Sequence, residues 1–246
     1  MTVSSRISAL LVCAFATACS GAATESQPSV VLVERNPWLM VIGSDSPSFA
    51  LYSDGLVIFR DTESPEYRST RLSEAKRKEL LAEIAPDALL QLEESYTASE
   101  WTDQPTSELH VWVDGRHKAV SVYGALRREP GARAATPAAF LRAYDAIVRF
   151  SPEAPSWIPE EIEVLIWPYE YSPETPVPWP DGWPRFEAAR PRGAERLHQV
   201  MLPAPELGRL QQLLKELKPK QAVELDKRKW AISYRFPLPR EEQWTQ

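Results

Sequence analysis

The chain is poor in the residues that build most recognisable active sites. It has 246 residues with only 9 Gly, 3 His and 2 Cys. So few glycines leave little material for a phosphate-cradling loop, and no Gly-x-Ser-x-Gly elbow occurs. No His-Glu-x-x-His, Cys-x-x-Cys or Asp-rich calcium loop is present, so the sequence supplies no metal ligands at a recognisable spacing. A net charge of −6 lacks the cationic footprint that phosphate backbones demand, which argues against a nucleic-acid partner. No apolar run approaches the roughly 20 residues that span a bilayer. At 43% hydrophobic and 25% charged, the composition is that of a folded domain. What is abundant is proline, with 23 residues, and tryptophan, with 9.

The first residues carry the sharpest signal. Arg6 is the only charge before Glu25, and it precedes the apolar run Ile7 to Phe15 and the small-residue exit Ala16-Thr17-Ala18-Cys19. That order describes a secretory signal peptide over residues 1–18. Ala16-Thr17-Ala18-Cys19 resembles the lipobox of bacterial lipoproteins, in which Leu is usual at the position held here by Ala16. The resemblance implies cleavage before Cys19, a diacylglycerol on its thiol and acylation of its new amine. Cysteine usage agrees: Cys13 falls within the discarded segment and Cys19 at the cut, so no internal disulfide can form afterwards. Two or more acyl chains give stable membrane attachment. Ser20, a non-Asp residue after the Cys, implies by the family's sorting tendency the outer membrane, with the domain facing the periplasm. Residues 19–29 are small and polar and read as a lipidated flexible tether.

Residues 30–246 read as a single α+β domain: an antiparallel sheet built from Asp-Gly hairpins, with about three helices packed on one face. Val30–Val33 and Trp38–Ile42 are strand-length apolar runs, and Asp54-Gly55 and Asp114-Gly115 each separate two β-rich runs. A third hairpin is expected around Asp226 to Arg228, and a further strand over Ile162–Trp167. The helices are expected after Ser73, after a Thr136 cap with Pro137 in the first turn, and along Leu207, Leu210, Leu214 and Leu217. Phe49 to Arg60 resembles segments of small uncharacterised secreted bacterial domains, a likeness that implies a hairpin and no activity. From Pro152 to Pro191 ten of 40 residues are Pro and four are Trp, which predicts extended or polyproline II chain around aromatic anchors and permits a boundary near residue 151.

No complete catalytic constellation emerges, so no catalytic residue, metal or cofactor is assigned. His110 and His117 flank the second Asp-Gly turn, where surface imidazoles are the ordinary outcome. Arg127-Arg128, Arg133 and Lys227-Arg228-Lys229 are short basic clusters expected to be solvated, with phosphate or head-group contact the lesser reading. The aromatic set Trp167, Tyr169, Tyr171, Trp179 and Trp183, with the carboxylates Glu170 and Asp181, is the candidate ligand or partner surface. Burial of those rings against proline and sheet is the competing expectation.

Three function classes follow. The preferred one is a lipid-anchored, non-catalytic binding protein for an envelope protein partner, of which an inhibitor or immunity protein is one form. The second is a glycan or peptidoglycan binder, or a weak carboxylate hydrolase using Glu170 and Asp181. The third is a structural envelope lipoprotein.

Overall fold

The computed structural model describes residues 26–39, 45–60, 66–185, 189–192 and 194–245. The first half builds a seven-stranded sheet from β1 (Pro28–Arg35), β2 (Phe49–Tyr52), β3 (Leu56–Arg60), β4 (Tyr67–Arg71), β5 (Ser95–Thr97), β6 (Thr106–Val113) and β7 (Arg116–Tyr123). Their order is β4-β3-β2-β1-β6-β7-β5, antiparallel except for the parallel β5–β7 pair. β1 lies at the centre, and its alternation explains its unbroken apolar sequence. Val30 and Leu32 pack toward the helices, whereas Val31 and Val33 pack into a different core on the other face. Trp38 and Leu39, expected to open a strand over Trp38–Ile42, instead belong to a turn and the loop after it, and residues 40–42 of that expected strand lie outside the described residues.

Turn chemistry sets the hairpins. β6 and β7 are joined by Asp114 and Gly115, with φ of 50° and 74°, the pair of positive values that a type I′ turn requires. β2 and β3 are joined by three residues, Ser53 to Gly55, of which Gly55 alone has positive φ, at 85°. A side chain at Gly55 would place its Cβ 2.6 Å from the Leu72 carbonyl oxygen.

Helices α1 (Glu74–Ile84), α2 (Pro86–Leu89), α3 (Pro130–Ala134) and α4 (Ala138–Val148) accompany this sheet, and α1 and α4 pack against each other. Ser73 Oγ caps α1 by accepting from the Lys76 N–H at 3.3 Å. Thr136 does not cap α4: its hydroxyl donates back to the Ala132 carbonyl at 2.7 Å, and Pro137 takes the cap position. Phe140, Tyr144 and Ile147 face the sheet as their spacing requires.

The expectation of one sheet needs correction, because a second follows. It comprises β8 (Glu161–Pro168), β9 (Val177–Pro178), β10 (Arg190–Arg192), β11 (Ala194–Pro203), β12 (Val223–Leu225) and β13 (Arg228–Arg235), ordered β10-β11-β8-β13-β12-β9. Thus the first sheet has helices on one face and the second sheet on the other. Ile162, Val164, Ile166, Val200, Leu202, Trp230 and Ile232 meet Val31, Val33, Ala50, Tyr52 and Ile58 in a shared core. Helix α5 (Leu207–Glu216) adds Leu210 and Leu213 to it. The change of composition at Pro152 therefore coincides with the passage from one sheet to the other. The third expected hairpin joins β12 to β13 through Asp226 and Lys227, with φ of 51° and 61°.

The C-terminal tail crosses back to the first sheet. Tyr52 Oη donates to the Pro239 carbonyl at 2.9 Å, and Leu238 and Trp244 enter the shared core. Arg235, 2% exposed at its side chain, pairs with Glu163 at 2.6 Å, with Glu241, and with the Asp45 carbonyl at 3.2 Å. One guanidinium thereby ties β13, β8, the tail and the segment before β2 together. Among the described residues no helix is long and apolar enough to cross a membrane.

Candidate functional site

The aromatic set proposed from sequence does not assemble into one surface. Trp179 and Trp183 are each 4% exposed, lie 5.2 Å apart edge to face, and belong to the core between the sheets. Their indole nitrogens are spent on the Pro184 carbonyl at 3.1 Å and Glu206 at 2.6 Å. With both faces and both N–H groups committed, neither ring is available to stack on a sugar or seat a partner. Trp167 and Tyr169 pack with Leu165, Leu197 and Ala231 in a separate small cluster. Tyr171, 96% exposed, is the fully presented ring of the set. Glu170 pairs with Arg228 at 3.2 Å, and Asp181 faces solvent 3.9 Å from Arg185. Cys19 and the whole signal segment lie outside the described residues.

A concave site forms elsewhere, where β1 and β3 end beside the start of β6 and the loop after β7. This cleft, of about 610 Å³, is lined by Glu34, Arg35, Arg60, Arg127, Arg128 and Tyr144 among others. Its volume lies within the ~300–1,000 Å³ common for ligand sites. A second hollow of about 320 Å³ adjoins it, sharing Glu34, Asn36 and Arg60 as walls. The sequence contributes visibly to this concavity: β1 ends in Glu34-Arg35 and the chain turns at Pro37-Trp38, which line the cleft beside Arg60. Trp38, 74% exposed, stands in the lining.

The charges in the cleft are of two kinds. Arg127 grips Glu34 through Nε at 2.8 Å and Nη2 at 2.6 Å, and the Tyr144 hydroxyl donates to the same carboxylate at 3.0 Å. Burial acts to raise the Glu34 pKa, but the hydrogen bond and charge of Arg127, with Tyr144, outweigh it and hold it below the ordinary range. Burial and the Glu34 charge push the Tyr144 hydroxyl up, so it stays a donor. Arg35 places Nε and Nη2 on one oxygen of Glu108, at 2.9 and 2.7 Å. Arg60 and Arg128, by contrast, have no side-chain ion pair among the described residues; Arg60 lies 5.9 Å from the Tyr67 ring centroid. Asp103 and Glu129 also line the cleft without an ion pair there.

Behind Glu108 runs a line of rings. His110 is 2% exposed, which corrects the expectation of a surface imidazole, and its Nε2 lies 3.3 Å from Glu108. Its Nδ1 faces His117 Nε2 at 3.1 Å, the two rings 1° from parallel. Trp112 stacks on His117 at 4.6 Å between centroids. Cross-strand register produces the grouping, since Trp112 opposes His117 and both share a face with His110. Burial and the neighbouring His110 depress the His117 pKa. Opposing its own burial, His110 and Arg35 pull the Glu108 pKa down to about 2. Among the described residues no group of three or more His, Cys, Asp or Glu could hold a metal ion.

Sequence reasoning missed the cleft. Arg127-Arg128 was visible as a basic pair, but its partner Glu34 lies 93 residues away, and nothing local announces the bidentate contact. Comparison of the chain with protein-family models, with curated proteins and with solved structures gives no match.

Proposed function

We propose that the protein is a lipid-anchored, non-catalytic binding protein of the bacterial cell envelope that receives a protein partner in the arginine-lined cleft. The anchor rests on the resemblance of Ala16-Thr17-Ala18-Cys19 to a lipobox behind a single-charge signal segment. The binding role rests on one observation above all. A cleft of about 610 Å³ holds two guanidiniums, Arg60 and Arg128, that the described protein residues leave without an ion pair. Within the described residues Arg60 has only the face of the Tyr67 ring and Arg128 no ion pair, and a binding site uses such guanidiniums to meet charge on a partner. An inhibitor or immunity protein against an envelope-acting enzyme fits this description, since such a protein needs a location and a complementary surface only.

The test has two arms. Mass spectrometry of the mature N-terminal peptide reads the lipid: a triacylated Cys19 is expected, and an unmodified Cys19 removes the anchor. Cross-linking in intact cells followed by purification of the full-length chain reads the partner. One protein at near-stoichiometric yield is expected, and none removes the binding role.

A second reading, glycan binding, keeps one favourable observation: Tyr171 is 96% exposed, with Trp167 and Tyr169 partly exposed close by in sequence. Co-sedimentation of the full-length protein with purified sacculi, lost on Tyr171→Ala, would favour it. The structural-spacer reading expects neither partner nor co-sedimentation.

A further inference from the structure

We infer that the cleft is a carboxylate-recognition site that takes a short acidic peptide segment of the protein partner. This rests on the reading of the chain as an envelope binding protein and names the chemistry of what it binds.

The argument begins with how the arginines are held. Arg127 spends Nε and Nη2 on Glu34, and Arg35 spends the same two nitrogens on Glu108. In each, the Nη1 edge makes no hydrogen bond among the described residues. A guanidinium fixed along one edge by a carboxylate presents its remaining donors in a set direction, so little rotamer entropy is lost when a ligand arrives. Glu34 is itself fixed by Tyr144 and kept ionised, so the clamp persists across the neutral range. Arg60 and Arg128 add two whole forks, each matching the two oxygens of a carboxylate.

The other walls decide between anions. Asp103 and Glu129 stand in the same cleft without ion pairs among the described residues. Two anions and two cations, none of them in an ion pair among the described residues, leave the cleft mixed in sign. A phosphate, compact, with up to two charges and at most two P–OH donors, meets Asp103 and Glu129 chiefly as repulsion. A peptide places carboxylates on the arginines and its N–H donors on Asp103 and Glu129, satisfying both sets. Trp38, Pro37, Pro105 and Leu126 supply apolar surface for the side chains between the carboxylates. Mixed lining of this kind suits an alternating acidic and apolar segment better than a uniformly charged one.

The probe is an N-acetylated hexapeptide of alternating Leu and Glu, titrated calorimetrically into the full-length protein in detergent. The comparators are the same peptide with Gln for Glu, inorganic phosphate, and sacculi. Binding of the Glu peptide is expected, with the Gln peptide at least tenfold weaker, phosphate unable to displace it at equal concentration, and affinity falling as salt rises. Arg60→Ala and Arg128→Ala are each expected to weaken binding about tenfold, which corresponds to about 1.4 kcal/mol. Arg128 has no ion pair among the described residues, so Arg128→Ala should melt with the parent; Arg60→Ala also loses its contact over the Tyr67 ring, and if that variant fails to fold, Arg128→Ala carries the test. Equal binding of the Glu and Gln peptides, no binding of the Glu peptide, or unchanged affinity in the folded arginine variants overturns the inference, as does displacement by phosphate or occupancy by sacculi alone. Cross-linked capture from intact cells is run beside it. A partner held equally by the parent and Arg60→Ala leaves the binding-protein reading standing while this inference falls; loss of capture by the parent itself removes both.

Discussion

Replacing Arg235 by methionine keeps much of the side chain's length and removes its charge. In the native protein that guanidinium, 2% exposed, faces Glu163, 5% exposed, and Glu241, 14% exposed. It also donates to the Asp45 carbonyl at 3.2 Å. Without it the Glu163 and Glu241 carboxylates lose the cation they share in a largely desolvated site. Breaking a buried pair by deleting one partner costs about 3–5 kcal/mol, because the remaining charge keeps its desolvation penalty without the guanidinium that offset it. With a urea m-value of about 2 kcal/mol/M, typical for chains of modest size, the midpoint should fall by about 1.5–2.5 M. The assay is urea unfolding followed by tryptophan fluorescence. Arg149→Met is the control: its pair with Glu83 is exposed at 64% and 51%. Such a surface pair is worth at most about 1 kcal/mol. Adding Glu163→Leu to Arg235→Met should recover part of the loss, since apolar replacement of both partners is often near neutral. A midpoint shift below about 0.3 M for Arg235→Met, equal to the control, would refute the claim that this cluster ties the tail to the two sheets.

Acid should destabilise the fold in two windows. His117 has a folded pKa below its usual 6.5, so the unfolded chain takes up its proton first and stability falls as pH drops through 6.5. Glu108, held at about 2 against 4.5, contributes stability that is complete above 4.5 and is lost between there and pH 2, up to about 3 kcal/mol. Asp45 runs oppositely, its pKa raised by burial, and offsets part of the second loss. Thermal melts from pH 8 to 3 should show the upper window vanish in His117→Asn; a profile identical to the parent's contradicts the assignment. Gly55→Ala should cost at least about 2 kcal/mol, because φ is +85° and the new Cβ would lie 2.6 Å from a backbone oxygen. Gly115→Ala, at φ +74° with nothing within 4 Å, should cost about 1, and equal melting shifts would show that the Leu72 contact is unimportant. Trp183→Ala should cost about 3–5 kcal/mol by emptying the core and removing the indole hydrogen bond to Glu206, whereas Tyr171→Ala should fall within about 0.5. Similar small shifts for both would return Trp183 to the surface.

Much of the architecture was legible because it is written in local chemistry. Ser73, the Asp114-Gly115 turn and the Phe140, Tyr144, Ile147 spacing each act within a few residues, and each stands where those rules place it. The second sheet was not legible as separate. An apolar strand such as β8 announces burial, but nothing within it states which sheet it joins, and that choice is made by pairing with residues 198–203 of β11 and 230–235 of β13. Thr136 looked like a cap because its residue type suits one, yet a hydrogen bond to Ala132 competes for the same hydroxyl. For the tryptophans of the proline-rich segment the sequence offers two expectations, a presented surface and burial against proline and sheet, and burial holds for Trp179 and Trp183. Their indole partners Pro184 and Glu206, and the core they fill, are what a sequence conceals. Arg127-Arg128 shows the converse: a basic pair in a loop gains meaning only when Glu34, Arg60 and Tyr144 arrive from other elements.

The most direct measurement places a photo-cross-linking amino acid at Trp38 in one strain and at Tyr171 in another, in the full-length protein in living cells. Both positions are exposed, at 74% and 96%, so neither substitution should disturb folding. A single discrete protein adduct at Trp38, with none at Tyr171, is the expected result for an anchored binding protein that receives its partner in the arginine-lined cleft. No adduct at Trp38, or the same adducts at both sites, contradicts it.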